Sequence, residues 1–357
     1  MTKLFKILII FLLPLSLKSQ VCQGNLGDNI FTDGDFGSGT ANISTNIPGL
    51  APGYSYTTSP PPVDGGFTIT NSTNWTGLYS TWLNIRDASD DPNGYMMIIN
   101  ASFDPGLFYD QTVTGLCENT LYEFSADAIN LIRNGVPDHI APNITFLLDD
   151  VPVTSSGDIA QDEKWHQYGV LFTTGPTQTS VKLSIRNNAP GGNGNDLGLD
   201  NISFRTCGDP AQILPKEIEN ICENGSPIDL NATIVGNQYP NPAVQWQESF
   251  DEGLTWQDIP GATDLTHQHT NLAGGVYYYR YLLAGSPQNL LNLKCRIISN
   301  VKLIYVQPKF WTITDTICEG IEYFNQGQLI SQSGIYVDSL TSSLGCDSVV
   351  TLSLIHI

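Results

Sequence analysis

Positive charge is scarce in this chain: 15 Lys and Arg stand against 35 Asp and Glu in 357 residues, a formal net charge of -20. So acidic a surface repels phosphate backbones and anionic bilayers, which excludes nucleic acid and anionic membranes as partners. Charged residues of either sign make up only 14%. No apolar run approaches the roughly 20 residues of a membrane span. No two of the seven cysteines form CxxC, so zinc or thioredoxin chemistry has little support. Neither GxSxG nor HExxH occurs, and no spacing singles out a carboxylate pair, so no catalytic residues are assigned and the visible region reads as non-enzymatic.

Turn formers are plentiful. There are 33 Gly and 21 Pro, clustered as PGLAPG, SPPPVDGG, DDPNG and NNAPGGNGND. Between them lie β-rich stretches: 66–70, 95–100, 121–130, 143–148, 168–173, 181–186 and 198–204. Many strands without a long helical period predict an all-β chain built of two-sheet sandwiches. Residues 1–19 have the pattern of a signal peptide, with Lys3 and Lys6 before an apolar Ile7 to Leu17 and a small Ser19 before Gln20. Its removal takes Lys18 as well, leaves no integral membrane span and predicts a secreted or cell-surface protein in which disulfides are expected.

The run from Pro92 to Gly208 includes PNGYMMIINASFDPGLFYDQTVTGLCENTLYEFSADAINL, APNITFLLDD, WHQYGVLFTT and NNAPGGNGNDLGLDNISFRTCG. It resembles the N-terminal jelly-roll module of gliding-motility-associated, type IX-secreted multidomain surface proteins, over Cys22 to Gly208. The resemblance implies a carbohydrate-binding-module-like sandwich over 20–208. A Pro-containing linker is expected at 209–216. Residues 217–307 resemble an immunoglobulin-like repeat with Trp246 in its core. Residues 308–357 read as a partial third β module. Its last six, LSLIHI (Leu352 to Ile357), match one reading frame of a sequencing-adapter end, so a truncated frame is expected there.

Sugar recognition needs aromatic faces for pyranose rings and polar groups for hydroxyls. NWTGLYSTWLNIRD supplies Trp75, Tyr79, Trp82 and Arg86, with Trp82 also readable as core and Trp165 read as core. For a structural calcium, Asp33 and Asp35 of TDGDFGSG and Asp196 and Asp200 of GNDLGLDN offer hard oxygen ligands. Jelly-roll modules of this kind often place calcium where a GDF-like segment meets an LDN-like one, although Gly37 stands where an acidic ligand is often found. The same residues are equally turn formers and strand caps. His267 and His269 share a strand face but have no third ligand nearby. The expected disulfides are Cys222–Cys295, Cys318–Cys346 and Cys22–Cys207, with Cys117–Cys207 open as an alternative and the odd cysteine a buried thiol. The resulting expectation is an exported adhesin that binds glycans or surface polysaccharide, or else the accessory binding region of a secreted enzyme.

Overall fold

The computed structural model describes residues 21–357 except Thr32, Pro48, Gln326 and Leu344. The expected signal peptide lies outside the described residues. The described chain is nearly all β and divides into two compact units, one of Asn29–Thr206 with Val21 and Cys22, the other of Gln23–Asp28 with Cys207–Ile357.

The strands in chain order are β1 (Asn25–Leu26), β2 (Ser55–Tyr56), β3 (Gly66–Thr70), β4 (Met96–Asn100), β5 (Leu107–Thr114), β6 (Leu121–Asn130), β7 (Ile144–Leu148), β8 (Val151–Ser155), β9 (His166–Thr173), β10 (Ser180–Asn187) and β11 (Leu197–Gly208). The first unit is a jelly-roll-type sandwich of a large sheet, ordered β2-β3-β4-β11-β6-β9, and a four-stranded sheet, β5-β10-β7-β8. Alternation decides the core. In LYEFSADAIN, Tyr122, Phe124, Ala126 and Ala128 point inward to meet Phe146, Leu183 and Ile185 of the small sheet. Phe31, Phe124 and Phe204 interlock there, with ring centroids 5.9–6.3 Å apart. The expected strands are present to within a few residues. β5 and β8 were not expected, because LFYDQTVT and VPVTS are edge or near-edge segments whose apolar signal is interrupted.

The second unit contains β12 (Ala211–Leu214), β13 (Glu219–Cys222), β14 (Ile228–Ile234), β15 (Ala243–Ser249), β16 (Gln257–Asp258), β17 (Thr266–His269), β18 (Gly275–Ala284), β19 (Ile297–Ile298) and β20 (Lys302–Gln307). Sheets β12-β14-β17 and β13-β20-β18-β15-β16 enclose Trp246, Tyr281, Ile213 and Ile304, an immunoglobulin-like arrangement. The segment expected as a linker is instead largely strand: Ala211 to Leu214 pair with Asn231 to Ile234, since Ala211 and Ile213 supply buried side chains to this core. β1 joins this unit by pairing Asn25 with Gly208 and Leu26 with Cys207.

The last strands are β21 (Phe310–Ile317), β22 (Tyr323–Asn325), β23 (Gln328–Ile330), β24 (Gly334–Thr341) and β25 (Asp347–His356). β25 lies between β21 and β24 and includes Leu352 to His356, with Leu352 and Leu354 buried beside Ile330.

Two expected disulfides are corrected. Cys222 bonds Cys346, and Cys318 is exposed and free. The register explains both. β13 places Cys222 level with Gln307, while the parallel β21–β25 pair begins with Phe310 opposite Val349, which brings Cys346 back to the same level. Cys318 follows the far end of that pair, at least eight strand residues or roughly 26 Å away. Cys295 precedes β19, whose Ile297 pairs Leu283, eight residues along β18 from the Gly275 end near which Cys222 lies. Cys22, Cys117, Cys207 and Cys295 are all disulfide-bonded, so the odd cysteine is Cys318 and not one of the first module.

Candidate functional site

Continuous apolar runs in strands signal burial on both faces. MMIIN in β4 is such a run: Met97 and Ile99 face the main core, while Met96 and Ile98 face outward and are still buried. What covers them is a strap formed by 73–88. The strap is closed on itself by Thr73, whose hydroxyl donates to the Leu83 carbonyl at 2.9 Å and accepts from Ile85 N–H at 2.8 Å. It pairs with the chain after β6, where Leu83 N–H donates to Leu131 O and Arg133 N–H to Thr81 O. Trp82, Leu131 and Ile132 thus make a second, outer cluster with Met96 and Ile98, against which Trp75 and Trp165 pack.

Two carboxylates hold the strap down, Asp196 just before β11 and Asp200 within it. Asp196 accepts from Trp82 Nε1 at 3.1 Å and from Ala101 N–H at 3.1 Å. Asp200 accepts from Ala88 N–H at 2.8 Å and Asn201 N–H at 2.7 Å. Burial pushes both carboxyls up to about 7, against the pull of those hydrogen bonds. Asp87 and Asp127 raise Asp200 further through like-charge repulsion.

These placements correct the expected calcium constellation. The backbone of the GDF-like segment does reach β11, with Ile202 N–H donating to Gly34 O. The carboxylates do not converge. Asp33 and Asp35 are exposed, Asp35 accepts from Gly37 N–H at 3.1 Å, and Asp196 and Asp200 are buried under the strap with their oxygens taken by N–H donors. Among the described residues no three Asp, Glu, His or Cys side chains gather where they could share an ion. The residues present do not fit a calcium site of that composition.

The four expected ligand-binding side chains are not one patch. Trp82 is fully buried. Trp75 is half-buried in the outer cluster, and its Nε1 is enclosed without a hydrogen-bond partner. Tyr79 is exposed at 39%, set edge-on to Trp82 at 4.9 Å, with its hydroxyl donating to Pro62 O at 3.4 Å. Asn100, at the end of β4, donates to the same carbonyl. Arg86 is exposed at the other end of the strap, where it donates to Pro92 O at 2.6 Å.

Next to Arg86 the structure assembles a group that sequence reasoning did not single out. Trp165 donates through Nε1 to Arg86 O at 3.2 Å. Its ring edge crosses Gly198, where a Cβ would come within 2.8 Å of it, so only glycine leaves room for the indole. Beyond Gly198 the outward residues of the large sheet are polar. Asn201 donates to Asp127 at 2.8 Å, Asp127 lies opposite Gln167 in the register, and Ser125 bridges to Glu123 and Ser203 at 3.0 and 2.8 Å. Burial pushes the Asp127 carboxyl up, and the Asn201 amide opposes it. Gln167 is exposed, and Asp127, Asn201 and Trp165 are half-buried. The signal was present in YEFSADAIN, whose alternation puts Glu123, Ser125 and Asp127 opposite the core residues.

In the second unit His267 and His269 are framework. His267 lies tilted between the rings of Trp246 and Tyr279, and His269 is fully buried with Nδ1 2.8 Å from the Tyr279 hydroxyl. His166 pairs with Asp162 at 2.8 Å at the start of β9.

No helix among the described residues is long and apolar enough to cross a membrane. No curated protein matches the chain. Residues 215–308 match a family described as a domain of unknown function (DUF8696). Among solved structures, the chain is similar to the C-terminal domain of the sugar-binding protein EclA, at 16% identity over 37% of this chain and 89% of that one, with a TM-score of 0.24. A CBM4 structure is 16% identical over 39% of this chain and 86% of its own, TM-score 0.23. A beta-1,2-glucanase from Parabacteroides distasonis is 15% identical over 62% of this chain and 33% of its own, TM-score 0.21.

Proposed function

We propose that the chain is a non-catalytic, exported surface protein of the type IX-secreted kind, in which the first sandwich binds glycan and the following β modules display it. One observation carries the binding assignment: a half-buried indole, Trp165, stands beside Asp127, Gln167 and Asn201 on the outer face of the large sheet. An aromatic surface beside fixed hydroxyl-directed groups is the combination that sugar rings require. The site rests on strands and on a strap fastened by two buried carboxylates, so little ordering is needed on binding. Tyr79, held edge-on to Trp82, supplies a second aromatic contact at the opposite end of the strap.

Retention of the full chain on a panel of immobilised neutral polysaccharides tests this. Trp165→Ala should weaken retention at least tenfold and Tyr79→Ala several-fold, with the melting temperature of both variants tracked. Undiminished retention in the double variant would refute the assignment.

A further inference from the structure

A cavity of about 300 Å³ opens on the first unit, bordered by Phe31 and Gly34, by Gly49 and Leu50, and by the edge strand β5. It shares no lining residue with the outer-face site. Its walls are held by strands: Ile30 N–H donates to Phe204 O, Ile202 N–H to Gly34 O, and Ala51 N–H to Phe108 O. One side is apolar, formed by Ile30, Phe31, Ile47 and Leu50. The other is polar. The cavity wraps the edge of β5, so it meets both of that strand's faces, with Asp110 from the outer one and Gln111 from the inner one. The Tyr109 hydroxyl donates to Gln111 Oε1, which leaves the Gln111 amide hydrogens to offer. Asp110 is fixed by the Ser184 hydroxyl at 2.7 Å and by Lys182 at 3.4 Å, and Asp33 stands exposed on the rim.

We propose that this cavity is a second saccharide site, taking a single uncharged pyranose residue at a chain end or branch. The proposal rests on the glycan-binding reading above. A volume at the lower limit of small-molecule pockets admits one ring and no extended chain. The apolar wall suits a pyranose CH face, and two carboxylates and an amide suit its hydroxyls. Lys182 compensates Asp110, and the further carboxylate of Asp33 on the rim keeps the cavity negative, which disfavours uronic acids and phosphorylated sugars because like charges placed together cost affinity. The two sites then divide the work: the open sheet face takes internal stretches of a chain, and the cavity takes its end.

Titration of the full chain with methyl glycosides of glucose, galactose, mannose and N-acetylglucosamine, followed by amide NMR, tests the proposal. At least one should shift Gly34, Gly49 and Leu50, methyl glucuronide should bind at least tenfold more weakly, and Asp33→Asn with Gln111→Ala should weaken binding at least tenfold. Asp33 is an exposed rim residue, so the single Asp33→Asn variant keeps the test valid if the double variant is destabilised. Trp165→Ala should leave these shifts intact while weakening polysaccharide retention at least tenfold, which separates failure of one site from failure of the other. If no methyl hexoside shifts the cavity amides, or if glucuronide binds as well as the neutral sugars, the proposal is overturned, whatever the outcome at Trp165.

Discussion

In the first sandwich the buried ionisable side chains on the large sheet are carboxylates, Glu123, Asp196 and Asp200, whereas in the second sandwich they are His269 and Lys302. The difference follows from what each has to fasten. In the first, N–H groups of a strap arrive on the outer face of a sheet, and carboxylates accept them. In the second, the Lys302 ammonium donates to the carbonyls of Pro215 and Glu217 at 2.7 and 2.6 Å and lies 3.4 Å from Glu219, tying the incoming chain to β20. Asp196 and Asp200 in the first and Lys302 in the second thus serve as clips to an irregular segment, with the charge chosen by the backbone or side-chain groups to be satisfied.

The strongest way to break this comparison is to remove the cationic clip. Lys302→Met should destabilise the second unit by about 3 kcal/mol, since a fully buried ammonium no longer ties the carbonyls of Pro215 and Glu217 to β20. Calorimetry of the full chain should show the transition of that unit lowered and that of the first unchanged; equal lowering of both would mean that the clip is not local. Cys222→Ser should cost the second unit about 2–4 kcal/mol, because the bridge to Cys346 closes a loop of 124 residues in the unfolded chain. Cys318→Ser should leave the thermogram unchanged.

The two units should also respond to pH in opposite directions. Asp196 and Asp200 rise from 3.8 to about 7 on folding, so the folded state binds their protons more tightly than the unfolded chain. Their contribution is full below about pH 4 and is lost as pH rises through 7. His267 and His269 are lowered from 6.5 by burial, so the second unit holds them neutral. That contribution is full above pH 6.5 and is lost as pH falls below it. Amide hydrogen exchange between pH 4 and 8 checks both: protection should fall with rising pH in β11 and with falling pH in β18. Parallel trends would sink the comparison. Asp200→Asn sharpens it, since the amide keeps an acceptor for Ala88 N–H and removes the charge; the slope in β11 should flatten. The smallest effect expected is from Tyr279→Phe, about 1 kcal/mol, for one hydrogen bond to His269.

Much of this was legible in the chain itself. YEFSADAIN declared its two faces, Trp246 its place in a core, and the turn clusters the breaks between seven of the first sandwich's strands. The site was less legible. Trp75 and Trp82 stand in a loop-like stretch of the sequence, so they read as a sugar platform, with core as the alternative for Trp82; Trp82 is buried and Trp75 half-buried because that stretch lies over the outward side of β4. Asp196 and Asp200 read as metal ligands because short-range spacing cannot reveal that Trp82 and Ala88, more than 100 residues earlier, donate to them. The cysteines mispaired for the same reason, since pairing depends on which strand ends share a level.

Local alternation and turn chemistry by themselves determined an all-β chain of successive sandwiches, its acidic surface and most of its strands, because side-chain direction in a strand has a period of two and is written residue by residue. Which outward face is covered, which carboxylates become clips, that Trp165 meets Asp127 and that β5 borders a cavity were decided only by the tertiary structure. Those contacts join residues far apart in sequence, and register and crossover connections, not spacing, set their distances.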